Sequence, residues 1–129
     1  MSALTLKKAI ESFDSRRAND IDIRTKTAWL SELDMKINAE LLVPRGLGTD
    51  FEGYSSLTSG DTELFAPKEY EEIYFLYLVM KDDFLNAEIK RYNNSALAFN
   101  ALYAELGDYL NRTHSVKSGA YLKAGGLYD

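Results

Sequence analysis

From Leu85 to Leu110 the apolar and aromatic residues recur at the spacing of a helical seam. Leu85, Ile89, Tyr92, Ala96, Phe99, Tyr103, Leu106 and Leu110 are separated by 4, 3, 4, 3, 4, 3 and 4 residues, close to the repeat of a helix packed along another helix. Asn86, Glu88, Lys90, Arg91, Asn93, Asn94 and Asn100 fall off that stripe. Such a stretch makes a rod of roughly 39 Å and reads as the spine of the fold. Just before it, Ile73 to Met80 is apolar at every position, and Pro67, Glu69, Glu71 and Glu72 suit a helix N-terminus. No glycine or proline interrupts residues 68–106. The pattern predicts two helices, about 67–81 and 84–113, folded into a hairpin at a corner near Asp82.

Earlier in the chain, Leu6, Ala9, Ile10 and Phe13 predict a short helix over 5–13. A second helix, 22–43, is expected behind an Asp20 or Asp22 cap, with Ile23, Leu30, Leu33, Ile37 and Leu41 as its stripe and Trp29 beside it. Pro44 ends it. Residues 44–66 form the one long irregular segment, in which Gly46, Gly48, Gly53 and Gly60 punctuate the chain while Phe51, Tyr54, Leu57, Leu64 and Phe65 supply apolar weight. A small hairpin between 62–65 and 51–54 is expected there. Loops of this length in small domains are usually functional or linking, so this one is a candidate contact surface. Beyond His114 the periodicity stops, yet Val116, Tyr121, Leu122, Leu127 and Tyr128 are too apolar for a purely solvated tail. The expected fold is therefore all-α: a small helical bundle built on the long C-terminal helix, one domain over 1–114, and a flexible tail over 115–129.

Composition narrows the function classes. With no cysteine and a single histidine, His114, a zinc site would need three or more carboxylates, and no metal or cofactor is expected. No apolar run approaches the roughly 20 residues of a membrane span. Charge is uneven: residues 50–83 carry 9 acidic and 2 basic side chains, whereas 1–49 carry 7 and 8. A sequence-specific nucleic-acid binder concentrates basic residues on one element, which this chain does not do. Phosphate-loop and dinucleotide fingerprints are absent, since Gly46-Leu47-Gly48 lacks the strand and helix they require. Among the carboxylates, at least two of Asp82, Asp83, Glu88 and Glu105 would have to converge in a pocket to do acid–base work; a solvated corner is the default expectation for the first three. Arg91, Asn93, Asn94 and Asn100 form an odd polar cluster within a strong helix. Asparagine is a poor helix former, so these amides are expected to bond to a loop, a neighbouring helix or another subunit.

The block Asn86-Ala87-Glu88-Ile89-Lys90-Arg91-Tyr92-Asn93-Asn94-Ser95, with Trp29 to Asp34, Asp61 to Leu64, Pro67, Tyr70, Phe99-Asn100 and Tyr109 to His114, resembles a family of small phage and prophage proteins. They are encoded among head and portal genes and are called head–tail connector or adaptor proteins. The resemblance spans about residues 4–114, and its most specific part is Arg-Tyr-Asn-Asn. The family form often has Gly where this chain has Ala87 and a second aromatic near Leu110. The resemblance implies a non-enzymatic virion subunit, held in the bacterial cytoplasm before assembly, that forms a ring on the portal and touches portal and tail-side proteins. Candidate interface residues are then Phe51, Tyr54, Phe65, Tyr121, Leu122, Leu127 and Tyr128. A capsid assembly chaperone, or a phage regulator that binds one protein partner, is the alternative.

Overall fold

The computed structural model describes residues 4–115, and within that span the protein is all-α. Its first helix, α1 (Leu6–Arg16), illustrates how loop and helix depend on each other. The first four N–H groups of any helix lack partners inside it. Here Leu6 N donates to Thr62 O (2.9 Å), Lys7 N to Gly60 O (2.9 Å), Lys8 N to the Thr5 side chain (3.2 Å) and Ala9 N to Thr5 O (2.9 Å). Leu64 N returns a bond to Leu4 O at 2.8 Å. Segment 60–64 thus lies against the start of α1, with one antiparallel bridge between Thr5 and Glu63. The expected backbone pairing with 51–54 gives way to this arrangement because unpaired helix amides compete for the same carbonyls.

α2 (Ile23–Ile37) begins at Asp22, whose carboxylate accepts from Thr25 N at 2.7 Å. It stops being α-helical before the expected Pro44. Asn38–Leu42 forms one wide π-type turn and Val43–Arg45 a tighter 3₁₀ turn, closed by Gly46 at φ 74°. The cause is Asn38, whose amide donates to Thr49 O (2.9 Å) and accepts from Thr49 N (3.0 Å), pinning the outgoing loop back onto the helix end. Arg45, itself buried, donates to Leu41 O at 2.7 Å and to the Asn111 side chain.

After a short 3₁₀ turn at Lys68–Tyr70, α3 (Glu72–Leu85) leads into α4 (Ile89–Thr113). Of the four helices, α3 is the one packed against all the others. Ile73, Tyr74 and Leu78 from α3 meet Phe13 of α1, Leu30, Leu33 and Ile37 of α2, and Phe99, Leu106 and Leu110 of α4 in one core. The all-apolar octet therefore reflects burial on most sides. Only the C-terminal half of the predicted seam is buried: Phe99, Leu106 and Leu110 are covered, whereas Leu85 and Ile89 are exposed.

The corner between α3 and α4 lies at Asn86–Glu88, later than Asp82. Asp82 and Asp83 stay helical because both carboxylates reach inward to Arg17 at the end of α1, at 3.3 and 2.5 Å. They are buried rather than forming the solvated corner expected of them. The turn is closed by Asn86 N to Asp82 O (3.1 Å) and Glu88 N to Asp83 O (3.0 Å), and it forces Ala87 to φ 56°. That left-handed conformation suits glycine and strains an alanine.

Candidate functional site

The long loop is anchored from below by one carboxylate. Asp34, on the inner face of α2, accepts from Tyr54 OH (2.5 Å), Tyr74 OH (2.6 Å) and Phe65 N (3.2 Å). Tyr74 OH in turn accepts from Ala66 N at 2.7 Å. Burial pushes the Asp34 carboxyl above its ordinary range, and the tyrosine and backbone donors only partly offset that. The same burial, with the facing negative charge, raises the Tyr54 and Tyr74 hydroxyls well above theirs, so both remain donors. A second anchor is Ser31, whose Oγ accepts from Tyr54 N at 2.9 Å. Gly53 is required beside it: its φ is 106°, and an added Cβ would lie 2.6 Å from Ser31 Oγ.

On this base Phe51 is stacked edge-on against both Tyr54 and Phe65, each pair with ring centroids 4.8 Å apart. The three aromatic residues expected at an interface are thus brought together, half-buried and folded onto the body. Tyr121, Leu122, Leu127 and Tyr128 lie outside the described residues. Arg91, Asn93, Asn94 and Asn100 are exposed on α4, and among the described residues no hydrogen bond uses their side chains. Their neighbour Ser95 makes the inward contact instead, donating to Asp83 Oδ2 at 2.9 Å.

Two features of the surface lie outside the interface residues expected from the sequence. One is the α3–α4 tip, where Phe84 (68 % exposed), Leu85 and Ile89 (71 %) stand in solvent. Phe84 packs on Tyr92 at 5.4 Å between ring centroids, and with Ala87, Ile89 and Asn93 they line a shallow cleft of about 490 Å³. The seam pattern includes Leu85 and Ile89, but periodicity does not say whether any element covers them at the turn. The other is Leu57, 93 % exposed at the tip of the loop.

Asp82 and Asp83 are committed to Arg17, Asn86 and Ser95, and Glu88 and Glu105 are exposed. Among the described residues no group of three or more His, Asp or Glu side chains is placed to hold a metal ion, and no helix is long and apolar enough to cross a membrane. The chain matches no known family model, no curated protein and no solved structure.

Proposed function

We propose that this protein is a phage or prophage virion structural protein, a head–tail connector (adaptor) subunit that assembles as a ring on the portal and performs no catalysis. In this reading the helices form a small bundle built on α4 with α3 as its hairpin partner, and the subunit passes from the host cytoplasm into the particle. The observation that carries the proposal is the hairpin tip. Its apolar residues Phe84, Leu85 and Ile89 are uncovered, and the adjoining Arg91 to Ser95 is the block most like the connector family. Contiguous exposed apolar surface of this kind marks an interaction site. The anchored loop 44–66 supplies a second surface on the same rigid body, as a subunit with neighbours on two sides requires.

Light scattering of the protein alone, then mixed with a portal protein encoded beside it, tests this. A ring of defined mass on the portal is the expected result. Absence of any association with the portal at low and high salt overturns it and turns attention to the assembly-chaperone or regulator alternative.

A further inference from the structure

We draw no further inference here: the strongest candidate, the cavity of about 540 Å³ between α1, the first turns of α2 and residues 55–60, carries none, because its cations Lys7 and Arg24 stand with the carboxylates of Glu11 and Asp14 on the same walls and nothing in the structure shows what fills it.

Discussion

Asp34 lies on the apolar stripe of α2, four residues after Leu30 and three before Ile37, and that position is what the sequence reveals of its role. An aspartate at a core-facing helical position must be satisfied by donors, but the sequence does not say which, because Tyr54, Phe65 and Tyr74 come from elements far apart in the chain. Removing one donor should be costly. Tyr74→Phe leaves Asp34 with one bond fewer and Ala66 N without an acceptor, and is expected to destabilise the fold by about 2 kcal/mol in urea denaturation. The pH dependence has a definite sign. The folded-state pKa of Asp34 is raised from 3.8 by burial, so the folded protein holds its proton more tightly than the unfolded chain. Its contribution to stability therefore grows as pH falls through that raised value and levels off below 3.8. Glu72, whose pKa is lowered from 4.5 by its hydrogen bond to Arg16, behaves oppositely and loses its contribution on acidification. Comparing Asp34→Asn with the parent chain isolates the first effect. The parent's advantage in denaturation midpoint should widen on going from pH 7 to pH 4, and a constant gap would show that Asp34 is not perturbed.

At the scale of elements, the boundaries that the pattern predicts and those observed differ where side chains take over from periodicity. Asp22 caps α2 as the sequence rule suggests, but Asn38 diverts the helix end by clamping Thr49, a tertiary contact invisible to a helical period. The α3–α4 corner likewise shifts to Asn86–Glu88 because Arg17 draws Asp82 and Asp83 inward. Two substitutions test the resulting backbone. Ala87 at φ 56° is strained, so Ala87→Gly is expected to stabilise the fold by about 1 kcal/mol. Gly107 lies within α4, and a Cβ there would meet Leu41 Cδ2 at an ordinary 3.8 Å. Gly107→Ala should therefore add up to about 1 kcal/mol, read as a higher thermal midpoint. A loss would mean that the helices approach more closely than this.

For the whole molecule, the ion pairs that join α1 to α3 are not equivalent. Arg16 meets Glu72 in the open, both side chains 42–50 % exposed, whereas Arg17 serves two carboxylates that are 6 % and 3 % exposed. Arg17→Met strands two adjacent buried charges and is expected to cost about 3 kcal/mol or more, while Arg16→Met should change stability by less than about 1 kcal/mol; chemical denaturation of both separates them. The all-α class and the positions of most core residues follow from periodicity in the sequence. The central place of α3 follows only once three partners converge on it, and the exposed tip only once the turn at Asn86–Glu88 leaves Phe84, Leu85 and Ile89 uncovered. The way segment 60–64 caps α1 has one more consequence. Most amides of α1 donate within the helix, but those of Leu6 and Lys7 donate across the chain to Thr62 and Gly60. Their exchange with deuterated solvent is therefore gated by detachment of that loop and not by fraying of the helix. Two backbone protons near the start of the chain thus serve as a built-in gauge of loop engagement, and any molecule that clasps the loop will slow them while leaving the rest of α1 unchanged.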